Sequence, residues 1–177
     1  MSPPTPPIRL FAMDVDGTLT DGVLVCLESG GDRKAFHARD GQGIKLLSLA
    51  GITPAIISGR ASDATSRRAE ELGIAHVHQA QGDKAGCLRD LCAALDLRPE
   101  EAAFIGDDLS DIPAMRIAGW SAAPADAADE TRAAATFVST KGGGHGAVRE
   151  AIEALLKAQG AWDDVLAHFE PCREEAR

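Results

Sequence analysis

Short apolar runs recur along the chain, each followed by a polar or charged turn and then by a helical pattern. No other feature constrains the fold as tightly. Ile8 to Val15, Ile52 to Ile57, Ile74 to Val77 and Ala102 to Ile105 are such runs. Helical patterns cover Gly43 to Leu49, Ser62 to Leu72, Asp83 to Leu95 and Asp111 to Ala118, with Gly51, Gly73 and Gly119 as stops. Strands that alternate with helices are joined by crossovers, so they lie parallel, and continuous apolar runs suit strands covered on both faces. Trp120 to Ala123 and Phe137 to Ser139 read as weaker strands, and Ala147 to Gln159 as an amphipathic helix with Val148, Ile152, Leu155 and Leu156 inward. A short helical turn is predicted within Trp162 to Phe169. The predicted class is α/β, a Rossmann-like parallel sheet with helices on both faces.

One segment breaks the alternation. Val23 to Leu27 and Arg33 to Ala38, separated by Glu28 to Asp32, predict a β-hairpin after the first strand, at about residues 22–39, with Gly30 and Gly31 at its tip. Between Asp16 and Ser58 there are about 40 residues, fewer than the ~50 of a small domain, and the hairpin and a helix already occupy them. Ser58 to Lys84 holds only a helix and a strand. Neither place can house a cap domain. With roughly 100 to 200 residues per domain, the 177 residues make one domain. We assign it to residues 8–160, after a flexible Pro-rich leader (1–7) and before a C-terminal tail (161–177).

Charge narrows the partners. The chain has 27 acidic and 18 basic residues, a formal charge of −9, which disfavours nucleic acid and anionic lipid. Aromatic residues are 4% of the chain and Tyr is absent, so platforms for stacking bases are few. Cys26, Cys87, Cys92 and Cys172 form no C-x-x-C pair and read as structural thiols. No apolar segment reaches the ~18 residues of a membrane span, and MSPPTPP lacks the apolar core of a signal peptide. A cytoplasmic protein without a membrane or nucleic-acid partner is expected.

The chemistry should lie where ligands bind in such sheets, outside the carboxyl ends of the strands. There the sequence places Asp14-Val15-Asp16-Gly17-Thr18, Ser58-Gly59-Arg60, Lys84, and Gly106-Asp107-Asp108 with Asp111. Carboxylates gathered at one point repel one another unless a hard cation is shared, and Mg²⁺ suits oxygen ligands that also hold a phosphate. Ser58, Lys84 and the backbone N–H groups after Asp14 are donors for phosphoryl oxygens. Asp14 can attack phosphorus to form an aspartyl phosphate, and Asp16 can protonate the leaving oxygen and then activate water. A calcium loop over DVDGTLTD fails, because Leu19 stands where Gly is needed and Val25 where Glu is needed. GDDLSD as helix capping alone would account for one of its Asp residues. His76 and His78 read as packing or surface residues.

In order along the chain, DVDGT, the strand ending at Ser58, Lys84 and GDDLSD resemble the four motifs of the haloacid dehalogenase superfamily, mostly Mg²⁺-dependent phosphatases with an aspartate nucleophile. The resemblance implies Asp14 as nucleophile, Asp16 as acid/base, and Ser58 and Lys84 as phosphoryl binders. It implies Asp14, Asp107 and the Asp16 backbone carbonyl as metal ligands, with Asp108 and Asp111 orienting the metal shell. More narrowly, KAFHARDGQGIKLL, SGR, GDDLSDIPAM, PADA and GGGHGAVRE look like the phosphatases that hydrolyse 3-deoxy-D-manno-octulosonate 8-phosphate in lipopolysaccharide sugar synthesis. Nonulosonate 9-phosphate phosphatases share much of this pattern, and the fold also occurs as a noncatalytic oligomerising domain. By this resemblance Arg39, Arg60, Thr18 and Gly59 would contact a small anionic sugar-acid phosphate. Four hairpins would assemble into a homotetramer, which the apolar faces of Val23 to Leu27 also favour. Thr18, Ala38 and Gln42 depart from the residues usual there.

Overall fold

The computed structural model describes residues 6–28 and 30–169. Most of the leader (residues 1–5) and the tail from residue 170, Cys172 included, lie outside the described residues. Among the described residues, no helix is long and apolar enough to cross a membrane.

The first strand, β1 (Leu10–Met13), is the centre of the sheet rather than its edge. After the hairpin strands β2 (Val25–Cys26) and β3 (Asp32–Arg33) come β4 (Thr53–Ile57), β5 (His76–His78), β6 (Ala102–Ile105), β7 (Trp120–Ala123) and β8 (Phe137–Val138). Six of them form one sheet in the order β5-β4-β1-β6-β7-β8, every pair parallel. Met13 pairs with both Ile56 and Ile105, so the three central strands finish nearly level. That register brings the residues after them to one edge, as the sequence requires.

The two faces separate by the period of two expected for a strand. Phe11 and Met13 point into a core shared with Ile44 and Leu47 of α1 (Ala38–Leu49), Ala69 of α2 (Asp63–Leu72) and Val148, Ile152 and Leu155 of α6 (Ala147–Ala158). Leu10 and Ala12 face the opposite core, with Leu88, Leu91 and Cys92 of α3 (Lys84–Ala94) and Ala114 and Met115 of α4 (Ile112–Ile117). Helices therefore cover both faces. Residues 161–169 are not only tail: in α7 (Trp162–Ala167) Val165 is buried in the first core, and Trp162 packs against it.

Two elements differ from the sequence expectation. The hairpin is shorter than 22–39: only Val25 and Cys26 pair, with Arg33 and Asp32, and α1 starts at Ala38, five residues before Gly43. His37 caps it, its ring nitrogen accepting from the Arg39 N–H at 3.3 Å. Gly43 sits inside the helix where α6 packs closely, since a Cβ would lie 3.1 Å from the Arg149 Cα, and a Cβ on Gly41 would push aside the Arg68 guanidinium, 2.4 Å away. The other is α5 (Asp129–Ala134), which carries little apolar signal because only Thr131 is buried.

Candidate active site

Asp14 follows β1 directly, and its backbone N–H donates to Ile105 O at 3.0 Å, which fixes it between β1 and β6. Its carboxylate is almost wholly buried, as are Lys84 and Asp111. Lys84 is the first residue of α3, held there by the Asp83 cap, and its ammonium donates to Asp14 Oδ1 at 2.7 Å and to Asp111 Oδ1 at 2.5 Å. The other oxygen of Asp111 accepts the backbone N–H groups of Asp107 and Asp108, at 3.0 and 3.1 Å. Gly106 lets Asp111 fold back this closely, since a Cβ there would lie 2.3 Å from the Asp111 carboxyl carbon.

Asp107 completes the cluster. Carboxylate oxygens of Asp14, Asp107 and Asp111 all lie within 4.8 Å of one another. Three carboxylates face a single ammonium, and Asp14 and Asp107 hold their protons more tightly than a free carboxyl does. Burial, followed by the charge of Asp111, lifts the Asp14 pKa to about 6 against the pull of Lys84. Burial, with Asp14 and Asp111, lifts that of Asp107 to about 7. Burial alone would lower the pKa of Lys84, but its two carboxylate partners outweigh that and raise it. A hard divalent cation fits this donor set by charge and by ligand type. Gly17 lets the loop after Asp16 close against Asp107, because a Cβ there would overlap Asp107 Oδ2 at 2.0 Å.

Asp111, expected to orient the metal shell, lies beside Asp14 and Asp107, with its oxygens taken by Lys84 and by the Asp107 and Asp108 N–H groups, while Asp16 pairs with other cations. Asp16 meets Lys34 at Oδ1, and Arg60 Nε lies 3.7 Å from Oδ2, an oxygen that accepts no hydrogen bond among the described residues. Thr18, assigned to substrate, is completely buried and donates from Oγ1 to Asp107 Oδ1 at 3.1 Å. The carboxylate of Asp108 caps a helical turn, accepting the Leu109 N–H at 2.8 Å and the Asp111 N–H, while the Asp108 N–H donates back to the Asp111 carboxylate at 3.1 Å.

Ser58 is buried at the end of β4, and its Oγ accepts a long contact, 3.4 Å, from the Arg60 N–H; Gly59 follows in open space. Arg60 reaches into a cleft of about 510 Å³ between hairpin and α2, lined also by Asp32, Ser62 and Arg67. Arg39 opens instead onto a second cleft, of about 370 Å³, with Lys141, His145 and Arg149. It does so because α1 begins early and carries Arg39 in its first turn.

Lys34 and Asp32 are site neighbours that sequence reasoning missed. The side chain of Lys34 is 2% exposed and bridges Asp16 to Asp32 Oδ2, the latter at 3.2 Å. Asp32 Oδ1 accepts from Ser62 Oγ at 2.6 Å, which ties the hairpin to the cap of α2. A lone lysine before Phe36 in a ribbon gives no signal that it is buried.

A parallel sheet with a carboxylate cluster at its carboxyl edge and a buried lysine defines a hydrolase class, and the comparisons agree. The family model described as haloacid dehalogenase-like hydrolase matches residues 40–119, which include Ser58, Lys84, Asp107 and Asp111 and lie after Asp14 and Asp16. The 3-deoxy-D-manno-octulosonate 8-phosphate phosphatase KdsC of Yersinia pestis is 44% identical over 152 residues, 86% of this chain and 81% of the relative. A solved 3-deoxy-D-manno-octulosonate 8-phosphate phosphatase from Moraxella catarrhalis, in complex with magnesium ion, phosphate ion and a KDO molecule, superposes with a TM-score of 0.88 at 45% identity, covering 92% of this chain and 94% of the other. The cobalt-bound phosphatase of Haemophilus influenzae gives 0.84 at 41% identity, over 88% and 91% of the two chains. The chain belongs to the 3-deoxy-D-manno-octulosonate 8-phosphate phosphatase family of haloacid dehalogenase-like hydrolases. It is an enzyme, a phosphomonoesterase.

Proposed function

We propose that the chain hydrolyses 3-deoxy-D-manno-octulosonate 8-phosphate to the free sugar acid and phosphate, in lipopolysaccharide sugar synthesis, with Mg²⁺ as cofactor. The observation that carries this reading is the excess of buried carboxylate over cation at Asp14, Asp107 and Asp111 beside Lys84, at the sheet edge where phosphate esters bind. Asp14, Asp107 and the Asp16 carbonyl would hold the metal, with Asp111 close enough to share in it. When bound, Mg²⁺ supplies positive charge that screens the phosphate from these carboxylates and stabilises charge on its oxygens.

The remaining steps belong to side chains. Asp14 attacks phosphorus, the ester P–O bond breaks, and an aspartyl phosphate forms on its carboxylate. Lys84 keeps the Asp14 carboxylate oriented and donates to the phosphoryl group, with Ser58 and the Gly59 N–H on its other side. Asp16 protonates the departing sugar oxygen. It then takes a proton from the water that attacks the aspartyl phosphate, which releases phosphate and restores Asp14. Arg60, at the mouth, would fork onto the sugar-acid carboxylate.

We place the reaction in the cytoplasm, a reducing compartment in keeping with the free thiols of Cys26, Cys87 and Cys92. The working unit in this reading is a homotetramer. Val23, Leu24, Val25 and Leu27 are 44–63% exposed in the single chain, an apolar stripe that a partner's hairpin would cover. Arg39 would then serve a site shared between neighbours. Phosphate release with and without Mg²⁺, measured across a panel of sugar-acid and hexose phosphates, tests the proposal. The octulosonate ester should give the highest kcat/KM; equal turnover of simple hexose phosphates would overturn the substrate, and no Mg²⁺-dependent release from any ester would overturn the chemistry.

A further inference from the structure

Three segments remain unused by this mechanism: the start of α1 at Asp40-Gly41, the Pro124 to Ala127 turn, and the glycine run before α6. They meet. Gly143 and Gly144 lie backbone to backbone on the loop that follows Asp16. A Cβ on Gly143 would stand 1.8 Å from Gly17 O, one on Gly144 would stand 2.6 Å from the Asp21 N, and the Gly144 N–H donates to Thr18 O at 3.0 Å. The glycine strap is the rear wall of the loop whose Thr18 hydroxyl holds Asp107.

Two carboxylates from opposite sides pin this strap. Asp126, on the turn after β7, accepts the Gly143 N–H at 2.9 Å. Asp40, 1% exposed, accepts the Arg149 N–H at 2.7 Å and the Gly146 N–H at 3.2 Å, partners more than a hundred residues away in sequence. An ionised carboxylate on the first N–H groups of a helix is a strong cap, and burial excludes water as a substitute acceptor. Asp40 therefore fixes where α6 begins, and with it the height of the strap behind Gly17 and Thr18. The same turn that carries Asp126 also donates to Asp107, through the Ala128 N–H to Asp107 O at 2.8 Å.

We propose that Asp40, assisted by Asp126, is a positioning residue for the metal end of the active site, acting through the strap Gly142 to Gly146 on Thr18 and Asp107. The inference rests on the metal reading above and adds two residues that touch neither metal nor substrate.

Mg²⁺ binding to the purified full chain, followed by calorimetry without substrate, tests it directly. Asp40→Ala is expected to weaken Mg²⁺ about tenfold, the scale for losing an outer-shell support, and to lower kcat while leaving KM for the phosphate ester within about twofold. Asp40→Asn keeps one acceptor oxygen and should recover part of both losses. Asp126→Ala removes an exposed side chain, so it serves if Asp40→Ala does not fold; a weakening of about threefold is expected, a fraction of the outer-shell scale. Ile152→Val, buried in the same helix, controls for loss of stability: it should lower the melting temperature and leave Mg²⁺ affinity unchanged. If Asp40→Ala and Asp126→Ala bind Mg²⁺ like the parent, or Ile152→Val weakens it equally, the positioning role is wrong while the phosphatase reading stands. A parent chain that binds no Mg²⁺ overturns both.

Discussion

The Lys84 ammonium lies 2.7 Å from Asp14 Oδ1, and each side chain is 6–7% exposed. A pair so far from water interacts strongly, and the same ammonium also serves Asp111. Removing it strands two buried carboxylates. Lys84→Met should therefore destabilise the metal-free chain by about 3–5 kcal/mol, and urea titration measures this. Turnover should fall by about 10²–10³-fold with the loss of one phosphoryl donor. Asp14→Asn should have the opposite pattern: turnover falls to background because the proposed nucleophile is gone, while the chain keeps its stability because the cluster loses a surplus charge.

The raised proton affinities at Asp14 and Asp107 give a pH signature. A carboxyl whose folded pKa lies above its unfolded value binds its proton more tightly when folded. Its contribution to stability is therefore complete below the unfolded value of 3.8 and is lost as pH rises through about 6 for Asp14 and about 7 for Asp107. Asp32 runs the other way, since the Ser62 hydroxyl and Lys34 lower its pKa, and its contribution disappears in acid. Without metal, the melting temperature should peak on the acid side of neutrality and decline toward pH 8. Mg²⁺ must displace those protons, so its stabilising effect should be larger at pH 8 than at pH 5, with proton release on binding. Differential scanning calorimetry at both pH values checks the sign.

Ala80 adopts φ +56° beside the site, in the left-handed region that a Cβ disfavours. Its neighbours hold it there: Gln79 Oε1 accepts the Ser62 N–H at 2.7 Å, and the Gln81 N–H donates to Ser58 O at 3.0 Å. Ala80→Gly relieves the strain but frees the unfolded chain, and the balance should raise stability by about 0.5 kcal/mol. Urea unfolding reads the gain, and kcat should be unchanged.

Arg60 is the half-exposed cation of the hairpin cleft, 3.7 Å from Asp16. Arg60→Met should raise KM for the sugar-acid ester about tenfold, the worth of a charged hydrogen bond, and alter KM for an aryl phosphate little. Equal effects on both esters would mean that Arg60 serves Asp16 rather than the sugar acid.

Val23 and Val25 are 63% and 45% exposed on the hairpin. Aspartate at both positions should reduce the mass measured by light scattering. Activity on the sugar-acid ester should fall more than activity on a small aryl phosphate. A parent chain that is already monomeric, with full kcat/KM, would remove the tetramer from the account.

The sheet and the residues at its edge were legible because the central strands are nearly continuous apolar runs, each followed by a polar or glycine-containing turn. β6 ended at Ile105, as its apolar run placed it, while β1 is Leu10–Met13 within the run read as Ile8 to Val15. What the sequence could not show was side-chain direction. Asp111 and Asp108 stand three residues apart in one turn, yet a glycine at 106 lets the first fold onto Lys84 while the second caps the helix. Thr18 sits in a motif that suggests contact with substrate, and only packing reveals that its hydroxyl is spent on Asp107. The hairpin was overestimated because alternating residues before Ala38 look like strand, whereas the His37 cap, invisible to periodicity, starts α1 there.

The placement of β1 has a consequence for how the molecule is made. Asp14 emerges early in synthesis, but one partner of its strand, β6, lies some ninety residues later, and the strap behind its loop later still. A nascent chain therefore carries Asp14 long before it can carry the site. The reactive carboxylate stays solvated, uncoupled from Lys84 and Asp107, until nearly the whole domain has left the ribosome. Contacts this distant in sequence close slowly, so acquisition of activity should be among the last events of folding rather than a property that accumulates with secondary structure.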